Sequence, residues 1–173
     1  TGLNYRGIGA VRYPRGFTEG LDLDLSDETL DIGKSKTIVK GKKIAYLVFG
    51  TLMNTVLIVA KKNGASVIDM RFVKPIDENI IIDICRTHEY IFTVEDNVIL
   101  GGAGSAVNEV IQKNNIEANI TNLGVPDNIV PHGSQDEIFA ELGLDVCGLQ
   151  NQTNDHIKKM DNLINKQENV KGK

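Results

Sequence analysis

Residues 90–107 read YIFTVEDNVILGGAGSAV, and this stretch decides the fold class. The apolar run Tyr90–Val94 is typical of a buried strand, two carboxylates follow it, and a glycine-rich turn then leads into a helix near Ala103. Open α/β sheets build the crevice at the carboxyl edge of their strands from this succession of strand, turn and helix. The stretch therefore predicts an α/β fold in which a ligand or a partner domain docks at that edge.

Strand and helix patterns alternate on both sides of this stretch. Strands are predicted at residues 37–39, 44–49, 66–72, 90–94 and 118–123, and helices at 52–62, after Asp77, at 103–113 and after Ser134. The run Ile44–Phe49 is apolar throughout, as expected for a strand that is buried on both faces. The alternation predicts a three-layer αβα fold with a mostly parallel central sheet.

The two ends of the chain have a different character. A short strand is predicted at residues 8–13, and the acidic stretch that follows it, residues 21–28, is typical of a linker or a solvated sheet edge. From about Leu149 the chain is rich in Asn, Lys and Gln, with Ile157, Met160 and Ile164 on one helical face. We expect a docking helix there, followed by a flexible tail from Gln167.

Composition excludes several classes of function. The chain has 173 residues and a net charge of −4, without the basic stripe that nucleic acid requires and without an apolar run of membrane-spanning length. We therefore expect neither nucleic acid nor a membrane as a partner. The first residues show no secretory signal, and the missing initiator Met is typical of a fragment or a processed product. Cys85 and Cys147 are expected to be buried or half-buried thiols rather than a disulfide.

The glycine-rich turn and the carboxylates before it are candidates for chemistry. Gly101, Gly102 and Gly104 could present backbone N–H groups to an anion, but their spacing matches neither a dinucleotide-binding fingerprint nor a P-loop. Glycines that permit the close approach of helix to strand, or of a neighbouring domain, explain the pattern better. Glu95 and Asp96 could form an acid/base pair, yet a carboxylate at a strand end more commonly caps the following turn.

The remaining nucleophiles and imidazoles show no catalytic arrangement. His88, His132 and His156 have no spacing that indicates a shared metal, and His88 is expected to pair with the dipole at a helix end. Ser105 lacks the Gly-x-Ser-x-Gly elbow of serine hydrolases.

One basic motif, Arg12-Tyr13-Pro14-Arg15-Gly16, has a more specific appearance. A proline that fixes the turn, a glycine that lets the backbone bend and a planar guanidinium would form a rigid platform for bidentate phosphate binding. An arginine paired with a nearby surface carboxylate explains the motif equally well.

Several motifs in order resemble the C-terminal part of the 1-deoxy-D-xylulose-5-phosphate synthase family, from Ile8 to Leu149. The motifs are Arg12–Gly16, Leu30–Lys34, Phe49–Thr51, Asp69–Asp77, Thr93–Asn97, Gly101–Glu109, Leu123–Asp127, His132–Ser134 and Ala140–Asp145. The resemblance implies the end of a pyrimidine-binding domain and a linker at residues 1–34. A transketolase-type C-terminal domain at 35–150 and a C-terminal helix with a flexible tail at 151–173 would follow.

The resemblance also implies an activity for the full-length enzyme. Enzymes of this family depend on thiamin diphosphate and Mg²⁺, and they condense pyruvate with glyceraldehyde 3-phosphate with release of CO₂ in the non-mevalonate isoprenoid pathway. Arg15 matches the arginine that helps to hold the phosphate of glyceraldehyde 3-phosphate. No residue of this chain matches the family's cofactor, metal or catalytic residues, so the chain alone is expected to be inactive and to bind no cofactor.

Partners and alternatives follow from the same resemblance. The remaining domains of the same enzyme are the expected partners, in a homodimer within a bacterial cytoplasm or a plastid-type organelle. A transketolase or the β subunit of a 2-oxo acid dehydrogenase would share the C-terminal fold. A non-catalytic α/β module that binds an anion or a partner protein through Gly101–Ser105 is the other alternative.

Overall fold

The computed structural model describes residues 1–11 and 29–171, with side chains up to residue 163, in two compact units, Thr1–Ile32 and Gly33–Lys173. In the first unit the backbone N–H of Leu30 donates to Thr1 Oγ1 at 2.7 Å. Residues 8–11 form no strand, and Ile8 is fully exposed. The strand predicted at 8–13 is therefore wrong over these residues, because no strand of the described part of the chain pairs with them and their side chains are exposed. Residues 12 and 13, like Arg15, lie outside the described residues.

The second unit contains a five-stranded sheet with helices between its strands. Its elements are β1 (Lys36–Val39), β2 (Ile44–Phe49), α1 (Met53–Asn63), β3 (Ser66–Asp69), α2 (Glu78–Thr87), β4 (Tyr90–Val98), α3 (Ala103–Lys113), β5 (Ile120–Val125), α4 (Gln135–Glu141) and α5 (Val146–Lys171). The strand order is β1-β3-β2-β4-β5, and every neighbouring pair is parallel except β1 with β3. The predicted mostly parallel sheet is confirmed.

Strand β2 is buried on both faces of the sheet, which explains why it is apolar throughout. Tyr46 and Val48 point into a core shared with α1, α4 and α5, whereas Ala45 and Leu47 point into a second core shared with α2 and α3. Successive side chains of a strand alternate between faces, so a strand covered on both sides needs apolar residues at every position. The three-layer αβα architecture follows from this arrangement.

Helix limits agree better with the prediction than strand limits do. Helix α3 has the predicted bounds, and Ser134 caps α4 in a capping box with Glu137. Strand β3 ends at Asp69, before the predicted end at residue 72, because Arg71 turns the backbone into the left-handed region with φ 57°. Strand β4 continues to Val98, since its end pairs with Val125 of β5 beyond an irregularity in register. None of the described helices is long and apolar enough to cross a membrane.

Helix α5 packs across the first core and is held there by polar contacts. Thr153, fully buried, is hydrogen-bonded to the Tyr46 hydroxyl at 2.8 Å, and Ile157 and Met160 pack on the core as their periodicity predicts. Tyr90, at the start of β4, donates to the carboxylate of Asp161. The helix runs to Lys171, past the predicted start of a flexible tail at Gln167.

The Tyr90 contact predicts a loss of stability at alkaline pH. The hydrogen bond to Asp161, with burial as the next cause, raises the pKa of Tyr90 from its ordinary value of 10.0 to about 12. The folded state holds the proton of the Tyr90 hydroxyl more tightly than the unfolded state does. The hydrogen bond therefore contributes its full stabilisation below pH 10, and this stabilisation is lost as the pH rises through 12. We expect Tyr90→Phe to cost about 1 kcal/mol at pH 7, since Asp161 is exposed, and to flatten this pH dependence. Urea unfolding at several pH values measures both effects, and a variant as pH-dependent as the parent would contradict the assignment.

Candidate functional site

The candidate site is a crevice at the carboxyl edge of the sheet, between β2 and β4. From β2 the chain passes through α1 to β3 on one side, and from β4 it passes through α3 to β5 on the other. In open α/β sheets this reversal of strand order marks the usual ligand position. A cavity of about 300 Å³ lies there, lined by Phe49, Gly50, Val73, Glu95, Asp96, Asn97, Gly101, Gly102 and Ala103. The stretch that decides the fold class also provides most of this lining.

Glu95 occupies the position where an anion would bind. Its side chain is 2% exposed, and its two carboxylate oxygens accept hydrogen bonds from the backbone N–H groups of Ala103 at 2.8 Å and Gly104 at 2.9 Å. These N–H groups belong to the first turn of α3, where the helix dipole favours a negative charge. The carboxylate of Glu95 therefore takes the place that a phosphate or carboxylate ligand would take in a cofactor cradle.

Asp96 ties the ends of two neighbouring strands together. Its Oδ2 atom accepts hydrogen bonds from the Thr51 hydroxyl at 2.7 Å and from the Thr51 backbone N–H at 3.3 Å. Thr51 belongs to the turn after β2, so the carboxylate links that turn to the end of β4. We predicted a carboxylate that caps its own following turn, whereas the partner of Asp96 lies in the turn that follows another strand.

The glycines of the crevice permit close internal contacts. A Cβ atom on Gly102 would lie 2.2 Å from the Val98 carbonyl oxygen, and one on Gly104 would lie 2.5 Å from Thr93 Oγ1. Both distances are shorter than carbon and oxygen atoms allow. The interpretation that glycines let α3 approach the strands is confirmed for Gly102 and Gly104, whereas a Cβ atom on Gly101 would meet no other atom within 4 Å.

Internal hydrogen bonds engage the two carboxylates of the crevice. Both oxygens of Glu95 are engaged by backbone donors, and Asp96 is engaged by Thr51. Among the described residues, no group of three His, Cys, Asp or Glu side chains could hold a metal ion. These hydrogen bonds position the loops that surround the crevice.

Arg71 is a feature of this edge that sequence reasoning missed. Its backbone has φ 57°, a conformation that is strained for a residue with a side chain, and its Nε donates to Asp69 at 3.4 Å. It lies in the loop that supplies Val73 to the crevice. Glycine or asparagine at this position would have signalled the left-handed turn, but arginine carries no such signal.

The histidines lie apart and have structural contacts. His88 Nε2 is 2.8 Å from Ser66 Oγ, and its Nδ1 is 2.9 Å from Thr87 Oγ1. The Thr87 hydroxyl donates a hydrogen bond to the Asp83 carbonyl, so it accepts one from the Nδ1–H group of His88. The other ring nitrogen, Nε2, then accepts from the Ser66 hydroxyl. Burial lowers the pKa of His88, which favours this neutral ring. His88 is thus a neutral link between elements rather than the expected charged partner of a helix dipole.

The other candidate nucleophiles are also accounted for. His156 is hydrogen-bonded to Thr121 Oγ1, and His132 is exposed in a loop. Ser105 Oγ donates to the Ile99 carbonyl, which fits its exclusion as a nucleophile. Both cysteines are free thiols as predicted, although Cys147 is exposed rather than half-buried. Arg15 lies outside the described residues, so the phosphate-binding role predicted for it stays a prediction.

Comparisons with known proteins identify relatives of this domain. The model of the family described as "Transketolase, C-terminal domain" matches residues 33–149. A 1-deoxy-D-xylulose-5-phosphate synthase of Idiomarina loihiensis is 47% identical over 92% of this chain and 26% of its own length. An Escherichia coli protein of the same name is 48% identical over 87% of this chain and 24% of its own length. The chain spans about a quarter of the length of these curated relatives.

A solved structure described as "Split gene transketolase, inactive beta4 tetramer" has a similar fold. It superposes with a TM-score of 0.70 at 23% sequence identity and covers 76% of this chain and 45% of its own. At this identity the likeness concerns the arrangement of strands and helices alone.

Proposed function

Because this chain belongs to the transketolase C-terminal domain family, we propose that it is the C-terminal part of a 1-deoxy-D-xylulose-5-phosphate synthase. The observation that carries this proposal is its 47% identity to such a synthase over 92% of the chain. The complete enzyme would condense pyruvate with glyceraldehyde 3-phosphate and release CO₂. The bacterial sources of the relatives favour a bacterial cytoplasm over a plastid-type organelle.

In that enzyme the role of this domain is to position rather than to react. Thiamin diphosphate, with Mg²⁺, would supply the carbanion chemistry from a site in other parts of the enzyme. The described residues do not fit the diphosphate, because Glu95 already holds the first N–H groups of α3 and Gly102 packs against internal atoms. The same contacts disfavour a free-standing anion-binding module. The open crevice suits contact with the remaining domains of the enzyme, which we expect to be a homodimer.

Arg15 is the substrate-binding residue of this proposal. Its guanidinium would hold the phosphate of glyceraldehyde 3-phosphate by charge-assisted, bidentate hydrogen bonds. In the complete enzyme, we expect Arg15→Ala to raise KM for glyceraldehyde 3-phosphate about 30-fold, since such bonds contribute roughly 2 kcal/mol. Pyruvate has no phosphate, so its KM should change less than about twofold. Steady-state kinetics with each substrate varied in turn measures both values.

Arg86→Ala is a suitable control, because Arg86 is an exposed arginine on α2. It should leave both KM values unchanged. If Arg15→Ala raised KM equally for the two substrates, Arg15 would not act by binding the phosphate.

A chimeric enzyme tests the proposed function as a whole. Residues 33–173 would replace the matching C-terminal part of the Escherichia coli relative, and formation of 1-deoxy-D-xylulose 5-phosphate would be measured. The chimera should be active and the truncated relative inactive. A folded, dimeric chimera without activity would contradict the proposal. Transketolase activity in the chimera would favour the related thiamin enzyme instead.

A further inference from the structure

Three loops at the carboxyl edge of the sheet each expose a large apolar side chain. Val73 follows β3, Leu100 follows β4 and Ile129 follows β5, with exposed fractions of 46%, 71% and 99%. Adjacent strands lie about 5 Å apart, so these loops leave the sheet within about 15 Å of one another. Exposed apolar side chains that share one edge are typical of a surface that another protein segment covers.

Asp96 adds a charge to this edge that no cation offsets. The carboxylate is exposed, and it accepts hydrogen bonds from the hydroxyl and the backbone N–H of Thr51, which are neutral donors. None of the residues that line the crevice is basic, and no described lysine or arginine forms an ion pair with Asp96. Glu95 differs, because the N–H groups at the start of α3 offset its charge. The edge therefore combines apolar side chains with one unpaired carboxylate.

The chain also enters this domain beside one of the three loops. A Cβ atom on Gly33 would lie 2.9 Å from Pro75 Cγ, so the backbone there rests against the proline. The backbone N–H and the hydroxyl of Ser35 donate to Asp77 Oδ2 at 3.0 and 3.1 Å. Pro75 and Asp77 belong to the segment between β3 and α2 that carries Val73. In an enzyme about four times as long as this chain, the backbone would thus enter the domain next to its exposed apolar edge.

We propose that the crevice rim, formed by Val73, Asp96, Leu100 and Ile129, is covered by another segment of the same enzyme that presents apolar side chains and one lysine or arginine. This inference rests on the proposed function, because the segment belongs to the part of the enzyme outside this chain. Its basic group pairs with Asp96, and exclusion of water strengthens that attraction. A second copy of this chain is a poorer occupant, since a symmetric pair would place two copies of Asp96 in one interface.

Hydrogen exchange measured by mass spectrometry tests whether the rim is covered. The backbone N–H groups of Val73 and Leu100 donate no hydrogen bond within the described residues, so both exchange fast while the surface is free. In the complete enzyme, exchange at these residues should be at least about tenfold slower than in the 173-residue chain. Equal rates in the enzyme and in the chain would overturn the proposal. Slow exchange in the chain alone that disappears on dilution would identify a second copy as the occupant and overturn it as well.

A Leu100→Asp variant tests the apolar contact. In the complete enzyme it should return exchange at Val73 to within about twofold of the rate in the chain, because the contact would bury a carboxylate. The 173-residue chain with this substitution should keep its urea midpoint, since Leu100 is largely exposed. Ile58→Asp, at a half-exposed position on α1, is the control and should leave exchange at Val73 slow. If exchange in the Leu100→Asp enzyme stayed as slow as in the parent, the apolar contact would be refuted.

An Asp96→Asn variant tests for the basic group. The amide keeps an oxygen that can accept from Thr51 but carries no charge. Exchange at Val73 in the complete enzyme should become about threefold faster. About 1 M NaCl should accelerate exchange similarly in the parent but not in the variant, because salt screens the ion pair. If neither the variant nor salt changes the rate, no basic group lies at Asp96 and the proposal is overturned.

The chimeric enzyme separates this inference from the proposed function. If the chimera forms 1-deoxy-D-xylulose 5-phosphate while Val73 and Leu100 exchange as fast as in the chain, the covered rim is refuted and the proposed function stands. If the chimera is folded, dimeric and inactive while these residues exchange slowly, the result contradicts the proposed function and supports the covered rim.

Discussion

Replacing Glu95 with alanine should lower the free energy of unfolding by about 4 kcal/mol, a large part of the total stability of a domain. The substitution leaves the backbone N–H groups of Ala103 and Gly104 without an acceptor in a buried site. It also removes the negative charge from the first turn of α3 and creates a cavity beneath the helix. Urea unfolding followed by far-UV circular dichroism measures the change, since the chain has no tryptophan to serve as a fluorescent probe.

Asp96→Ala is the matched control for this prediction. Asp96 is the next residue along the chain, but it is exposed, and its partner Thr51 can bond to water instead. Its removal should cost about 1 kcal/mol. A Glu95→Ala variant that loses no more stability than Asp96→Ala would show that the buried carboxylate does not hold the start of α3.

Replacing Gly102 with alanine is expected to cost about 3 kcal/mol, measured in the same way. The added Cβ would lie 2.2 Å from the Val98 carbonyl oxygen and 2.4 Å from Glu95 Oε2. The nearest atom is backbone, so rotation of a side chain cannot relieve the clash. Helix α3 would have to move away from the end of β4, which would also lengthen the bonds to Glu95.

The neighbouring Gly101→Ala variant separates steric crowding from backbone strain. Gly101 has φ 73°, which a side chain disfavours, but a Cβ atom there would meet no other atom. Its cost should be about 1 kcal/mol. If Gly101→Ala proved the more damaging of the two, the close approach of α3 to β4 would not be the reason for Gly102.

The architecture of this chain could be predicted because it depends on local patterns. The unbroken apolar run of β2, the bounds of α3 and the capping box at Ser134 all depend on residues close together in sequence. The end of β3 could not be predicted, because it depends on a left-handed backbone at Arg71. The extension of β4 depends on its pairing with β5, which no property of residues 95–98 reveals.

The contacts of the candidate site required the three-dimensional structure for a similar reason. Glu95 and Asp96 are adjacent in sequence, yet one holds the helix that follows and the other holds the turn after a neighbouring strand. Nothing in the sequence indicates that these two consecutive carboxylates bond to different elements, because the order of the strands decides which groups lie near each of them. Likewise, nothing in the sequence near Asp77 indicates that Ser35 is its partner. The phosphate-binding role of Arg15 is inferred from the resemblance to the family, and the KM measurements test it.

Release of CO₂ from carboxyl-labelled pyruvate tests most directly whether this chain positions rather than reacts. The purified 173-residue chain would be assayed with thiamin diphosphate, Mg²⁺ and glyceraldehyde 3-phosphate, beside the chimeric enzyme that contains residues 33–173. We predict release of CO₂ by the chimera and none above background by the chain alone. Release of CO₂ by the chain without any other polypeptide would contradict the proposal that its fold only supports an active site in other parts of the enzyme.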